Sequence, residues 1–293
     1  MRASQATTRR IGMQLVREKK AAVMQEMERK GDVEKSKIVG RDLLSTLIRA
    51  NMAADLAPAH RMRDEEVLAQ ISTFIIAGHE TTASGVTWAL YSLAQNPEIQ
   101  EKLRAELSQV SEEAPSMDEV NALPYLDMVV KESLRFHSPV HGTMRVAATD
   151  DEIPLAQPVI DEYGKSHDTI KVQAGDYIGV DVILMNKSKA LWGEDADKFR
   201  PERWEEDLNG ANDIPGVYSH LMSFIGGPRA CIGYRFSIIE AKALLFVLLR
   251  SFEFAPVPGQ EIGIKNVIVA RPFVKGQEKS LALPMIIKKV TRS

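Results

Sequence analysis

The single cysteine of this chain, Cys231, lies in the stretch Phe224-Ile225-Gly226-Gly227-Pro228-Arg229-Ala230-Cys231-Ile232-Gly233-Tyr234-Arg235-Phe236. A lone cysteine is apolar filler, an incidental surface thiol or a functional sulfur, and its neighbours must decide which. Gly226 and Gly227 allow a tight loop whose backbone can approach a flat cofactor closely. Cys231 stands at the mouth of an expected helix, where the dipole and free N–H groups favour thiolate over thiol. Arg229 offers a cation to a carboxylate on such a cofactor, and Phe224 is placed to pack near the sulfur and limit water. Inert filler requires none of this, so the neighbourhood favours a sulfur ligand.

Three further stretches carry residue types of interest. In Ala77-Gly78-His79-Glu80-Thr81-Thr82, Ala77 and Thr81 are four residues apart and share a helix face, where Gly78 leaves room for a cofactor. Glu80 beside Thr81 suits a proton relay; the plain alternative is a hydroxyl cluster that bends a helix. Glu132 and Arg135 stand at i and i+3, usually no more than a weak surface pair. The third is Phe199-Arg200-Pro201-Glu202-Arg203-Trp204.

Taken in this order, the four stretches resemble the cytochrome P-450 superfamily of haem-thiolate monooxygenases. Phe224, Gly227, Arg229, Cys231 and Gly233 match its haem-binding signature without departure. Ala77 to Thr82 resembles its oxygen-activation motif, and Arg203 falls in its Pro-Glu-Arg element. The resemblance implies haem b (iron protoporphyrin IX) with Cys231 as axial ligand, Ala77 and Gly78 beside the cofactor, and proton delivery by Glu80 and Thr81. It implies that Glu132, Arg135 and Arg203 form a buried charge network supporting the haem loop. Arg145, in Gly142-Thr143-Met144-Arg145, falls where members commonly place a second propionate-binding arginine. The implied reaction reduces dioxygen, puts one oxygen atom into a small, lipophilic organic substrate and releases the other as water. Electrons are expected from a separate NADPH-dependent reductase, because no flavin or nicotinamide motif is visible.

The resemblance runs from about residue 40 to the C-terminus, with a eukaryotic, fungal-like texture. Family members are considerably longer at the N-terminus, so the competing expectation is a truncated haem-binding or non-binding fragment without turnover. A thiolate haem sensor is more distant. His137 and His141 have metal-pair spacing, but Pro139 spoils the helix between them. His79-Glu80 lacks the second histidine of a zinc-protease motif, and there is no Gly-x-Ser-x-Gly elbow.

The elements that must position these residues are mostly helices. Residues 7 to 30 read as a weakly amphipathic helix with Ile11, Leu15, Val23 and Met27 inward, broken by Gly31 and Asp32. Asp42 to Met52 reads as another. Asp64 is the expected N-cap of a long helix stopped by Pro97, which opens the next with Ile99, Leu103 and Leu107 inward. Tyr125 to His137 is a further helix. Ile170–Val172 and Tyr177–Ile183, flanking Ala174-Gly175-Asp176, suggest a hairpin, and residues 186 to 220 look irregular. A last helix is expected over about Ile232 to Ser251, then strands alternating around Lys275-Gly276. The fold class is mainly α with a small antiparallel β component (α+β), the C-terminal part of the P-450 fold. One partial domain is expected over 1–293: N-terminal helices to 63, the motif-bearing helices and haem loop over 64–255, and a β region over 256–293.

Bulk properties exclude several classes. The chain has 293 residues and a formal charge of -3, which argues against nucleic-acid binding. Arg2, Arg9, Arg10, Arg17, Lys19, Lys20, Arg29, Lys30, Lys35 and Lys37 make the first forty residues basic; a solvated helix face is the expected reading, a membrane-surface or partner contact the alternative. The longest dense apolar run, Ala243 to Leu249, is far short of the roughly 20 residues of a spanning helix. The N-terminus has no signal-peptide core, and one cysteine forbids an intrachain disulfide. The chain as given is expected in the cytoplasm, or at the endoplasmic-reticulum membrane face if an anchor precedes it.

Overall fold

A computed structural model of the chain describes residues 2–30 and 42–290. Gly31, Asp32, Lys35 and Lys37 lie outside the described residues. The chain divides into two units, Met1–His79 and Glu80–Ser293, with the boundary inside one continuous helix.

The first unit holds α1 (Arg2–Lys30), α2 (Leu43–Met52) and the start of α3 (Asp64–Gln95). Its core is Val16, Val23, Ile48 and Val67, with Met27 packed against them. Ile11 and Leu15, expected inward, are 45% and 43% exposed. The inward row is one residue on, through Gly12 and Val16, where a Cβ on Gly12 would stand 2.3 Å from Leu68 Cδ1. Asp42 caps α2, its carboxylate accepting the Ser45 N–H at 2.8 Å. Asp64 does not cap α3. The Arg63 carbonyl accepts from Glu66 and Val67, and Glu66 accepts the Arg63 N–H at 2.7 Å, so Asp64 is one residue inside and pairs with Lys20. Lys19 and Lys20 are thus neutralised by Asp42 and Asp64, while Arg10 and Arg17 are solvated.

In the second unit, Pro97 ends α3 and opens α4 (Pro97–Ser108), which buries Ile99, Leu103 and Leu107 as expected. A short α5 (Met117–Asn121), not expected, is set by a capping box between Ser116 and Glu119. The first amides of α6 (Pro124–Phe136), those of Tyr125 and Leu126, donate to the Glu106 carboxylate at 2.7 and 2.8 Å. The main core joins the second half of α3 (Leu90, Leu93), α4, α6 (Leu126, Val129) and the last helix (Leu245, Phe246, Leu249).

Four two-stranded antiparallel ladders accompany these helices among the described residues. Strand β1 (Gly142–Val146) pairs with β4 (Tyr177–Asp181), and β2 (Asp151–Ile160) with β3 (Ser166–Val172). The expected hairpin across Ala174-Gly175-Asp176 is therefore not one. That turn is closed against Ala147, whose N–H and C=O bond to Asp176 O and Gly175 N, and it passes the chain from one ladder to the other. Val182 and Ile183 leave the strand for α7 (Val182–Asn186), capped by Asp181. Short α8 (Lys189–Trp192) and 3-10 turns follow in the irregular region. The last helix, α9, begins at Tyr234 rather than Ile232 and ends at Ser251. Strand β5 (Phe252–Pro256) pairs with β8 (Met285–Lys289), and β6 (Ile262–Asn266) with β7 (Ala270–Val274). The β6–β7 turn is Val267 to Val269, whereas Lys275-Gly276 lies beyond β7. Helices with small antiparallel ladders make the class α+β, as the sequence indicates. Among the described residues no helix is long and apolar enough to cross a membrane.

Candidate functional site

The cysteine loop starts at a 3-10 turn, Met222–Phe224, and ends at α9. Two backbone features fix its course. Ile225 takes φ 58°, a left-handed setting that costs a β-branched residue about 1–3 kcal/mol. Gly226 presses on the preceding segment so closely that a Cβ there would stand 1.9 Å from Pro215 O. After these, Gly227 (φ 71°) opens a second 3-10 turn through Arg229. The loop closes when Cys231 N–H donates to Phe224 O at 2.9 Å and Ala230 N–H to Gly227 O at 3.0 Å. The Phe224 ring is buried between Tyr218 and Tyr234, centroids 6.1 Å from each, so this end of the loop is anchored in the core.

Cys231 itself is exposed. Beside it Ile232 is 90% exposed and Phe236, on the first turn of α9, 68% exposed. The amides of that turn follow Gly233, whose carbonyl accepts from Ser237 at 2.9 Å. Within one short stretch the chain thus exposes a soft sulfur donor, two apolar side chains and the guanidinium of Arg229, a set suited to an apolar, sulfur-ligated group with an anionic edge.

Behind the loop lies a buried charge network. Glu132, Arg135 and Arg203 are 0%, 0% and 2% exposed. Arg135 binds Glu132 through two parallel bonds of 2.9 and 2.8 Å, and Arg203 Nε reaches the same carboxylate at 3.0 Å. The carboxylate also accepts from Trp204 Nε1 and the Arg200 amide. The guanidinium of Arg135 donates further to the carbonyls of Asn186, Ala196 and Lys198. Arg203 adds Asp195, whose carboxyl is held below its ordinary range by Arg203 and Arg200 against the opposing effect of burial. The helical i, i+3 pair is thus no surface pair; it is the centre of a network that ties α6 to the segment from Asn186 to Trp204.

On α3, Thr81 is half-buried, and Glu80 forms an ion pair of 2.5 Å with Arg271 of β7. The neighbouring Thr82 is buried and donates to Ser237 of α9 at 3.0 Å. Ala77 and Gly78 fall at the end of the first unit, on the same helix, and apart from its chain neighbours and its own helix backbone nothing lies within 4 Å of where a Gly78 Cβ would stand. Arg145 is exposed on β1, its guanidinium donating to Thr143 Oγ1 and Met144 O at 2.8 Å each. His137 is not set up as a metal ligand: it stacks flat on Trp88.

The structure thus brings Glu132, Arg135 and Arg203 together and keeps Phe224, Gly227, Arg229, Cys231 and Gly233 in one loop. Sequence reasoning missed Asp195, Asn186 and Arg271. Each is a common residue type in an irregular or strand segment with no local pattern, and only the fold gives it a partner.

Comparison with known proteins finds relatives over most of the chain. The family model described as cytochrome P450 matches residues 6–272. The chain is 52% identical over 282 residues to cytochrome P450 monooxygenase 205 of the fungus Postia placenta, covering 96% of this chain and 52% of that protein. It is 42% identical over 258 residues to cytochrome P450 monooxygenase claW of Ampulloclitocybe clavipes, covering 86% and 47%. The chain therefore spans about half the length of the curated relatives it matches. In structure it resembles a cytochrome P450DA heme domain, with TM-score 0.73 and 22% identity, over 98% of this chain and 55% of that one.

Proposed function

The chain belongs to the cytochrome P450 family, and on that premise we propose that it is the haem-carrying part of a haem-thiolate monooxygenase, with Cys231 as the sulfur ligand of haem b. The observation that carries this reading is the Cys231 loop: an exposed cysteine on a constrained backbone, with exposed Arg229, Ile232 and Phe236 close by in the sequence.

Bound there, haem would supply the reduction of dioxygen with two electrons and two protons, one oxygen atom going to an organic substrate and the other to water. Cys231 would hold the haem iron through its sulfur and lend it electron density. The Cys231 N–H is committed to Phe224 O, which fixes the direction from which the sulfur presents itself. Arg229 and Arg145 would hold the propionates, and Arg145 would exchange its contacts with Thr143 and Met144 to do so. Glu80 and Thr81, consecutive on α3, move protons inward, and Arg271 orients the Glu80 carboxylate between transfers. Glu132, Arg135 and Arg203 touch no reactant and act by holding the loop. The substrate is a small lipophilic molecule, and electrons come from an NADPH-dependent reductase.

The test is the absorption spectrum of the haem-loaded chain, reduced under carbon monoxide. A Soret band at the long-wavelength position of thiolate-ligated haem, lost in Cys231→Ala, is the expected result. The same spectrum in parent and variant would sink the assignment. Product formation with a NADPH-dependent reductase then separates a monooxygenase from a haem carrier without turnover.

A further inference from the structure

We propose that Asn186 is a positioning residue for Cys231, transmitting the geometry of the buried charge network to the loop that presents the sulfur. This rests on the reading of Cys231 as the sulfur ligand.

Asn186 is the last residue of α7 and is 0% exposed. A buried asparagine carries four hydrogen-bonding sites and is costly unless they are used. Here the backbone and the side chain face different structures. The carbonyl oxygen accepts from Arg135 Nη1 at 2.9 Å, inside the network of Glu132, Arg135 and Arg203. The side-chain Oδ1 accepts the Met222 N–H at 3.2 Å, and Nδ2 donates to Ser223 Oγ at 2.9 Å. Ser223 Oγ in turn donates to Leu134 O at 2.8 Å, on α6 between Glu132 and Arg135. Exchanging the amide oxygen and nitrogen would set two N–H groups against each other at Met222, so this network fixes the orientation.

The clamp falls where the loop needs it. Met222 and Ser223 immediately precede Phe224, whose carbonyl receives the Cys231 N–H, and Ile225, whose left-handed backbone is strained. A strained residue persists only where its surroundings over-determine it. Gly226 against Pro215 constrains the far side of Ile225; Asn186 constrains the near side. With the near clamp gone, the turn can relax, and the Phe224 carbonyl and the sulfur turn with it. Asn186 thus joins the carbonyl shell of Arg135 to the cysteine loop through one side chain.

Hydrogen exchange of the full chain without haem tests this directly, comparing the parent with Asn186→Ala and Ser223→Ala. Loss of the clamp is expected to speed exchange at the Met222, Ile225, Ala230 and Cys231 amides about tenfold or more, with α4 and the middle of α6 unchanged. Ser223→Ala removes one arm and leaves the bond from Arg135 to Asn186 O in place, so it decides the matter if Asn186→Ala fails to fold. Unchanged loop amides, or a rise spread evenly over the second unit, would overturn the proposal by reducing Asn186 to an ordinary buried residue. In the haem-loaded chain under carbon monoxide, Asn186→Ala should shift intensity from the long-wavelength Soret band toward the short-wavelength one; an unaltered ratio counts against it. A parent that shows no thiolate band removes the sulfur-ligand reading, while the exchange result still reports on the clamp.

Discussion

His137 shows at the scale of one residue how position overrides type. Its ring lies on Trp88, centroids 4.7 Å apart and planes 16° from parallel, with Phe136 edge-on at 5.0 Å. Burial, helped by the charges of Lys187 and His141, pushes its pKa down to about 3. The folded chain therefore holds it neutral, while the unfolded chain protonates it below an ordinary pKa of about 6.5. Over that window the unfolded state binds more protons, so stability falls as pH drops from about 6.5 toward 3. His141, also lowered by burial, adds in the same direction. Urea unfolding at pH 7.5 and 5 should show the parent losing about 2 kcal/mol at most to His137. In His137→Phe, which keeps the stack on Trp88, that part of the loss should vanish; an identical pH dependence would refute the burial argument. The motif residues Cys231, Arg229 and Gly227 were legible because their types and spacing state their chemistry. Asn186 and Arg271 were not, since one asparagine or arginine means nothing until a partner far along the chain reaches it.

Among the elements, α6 carries the heaviest electrostatic commitment. Glu132 supplies the one carboxylate that both Arg135 and Arg203 grip, and all three are out of water. Removing its charge leaves two guanidinium groups partly uncompensated in the interior, at a cost of about 3–5 kcal/mol. Glu132→Gln should lower the urea midpoint accordingly, whereas Lys275→Ala, which breaks the exposed pair with Glu261, should leave it unchanged. Equal effects of the two would mean that burial adds nothing to the Glu132 network. The helices were legible where caps and apolar spacing coincide: Pro97 opens α4, and Ile99, Leu103 and Leu107 line its inner face. Strand pairing was not. Ala174-Gly175-Asp176 is a turn, but a turn signal says only that the chain bends, and here the bend closes on Ala147 instead of on its own two strands. The Asp64 cap missed by one residue for a related reason: the Arg63 carbonyl takes the Glu66 and Val67 amides that a capping Asp64 would serve, and Glu66 in turn accepts the Arg63 N–H.

For the molecule as a whole, family and class could be read from four short stretches, yet the division at His79 and Glu80 could not, because it falls inside an uninterrupted helix. The weak periodicity of α1 hid the cause: with its inward row at Gly12, Val16 and Val23, the helix offers little apolar surface to bury. Among the described residues the core cluster of the first unit is correspondingly small, Val16, Val23, Ile48 and Val67 with partly buried apolar side chains around them. The second unit packs α4, α6, α9 and the later turns of α3 around a far larger cluster that includes Leu93, Leu103, Leu126, Leu245 and Leu249, each 0% exposed. Local opening costs less where fewer apolar contacts must be broken. Amides of α1 and α2 should therefore exchange with solvent at least about tenfold faster than those of α4, α6 and α9, and denaturant should unfold the two sets at separate concentrations. Uniform protection in one cooperative transition would show that the small core is not what limits the first unit, and that its stability is set by the helix shared with the second.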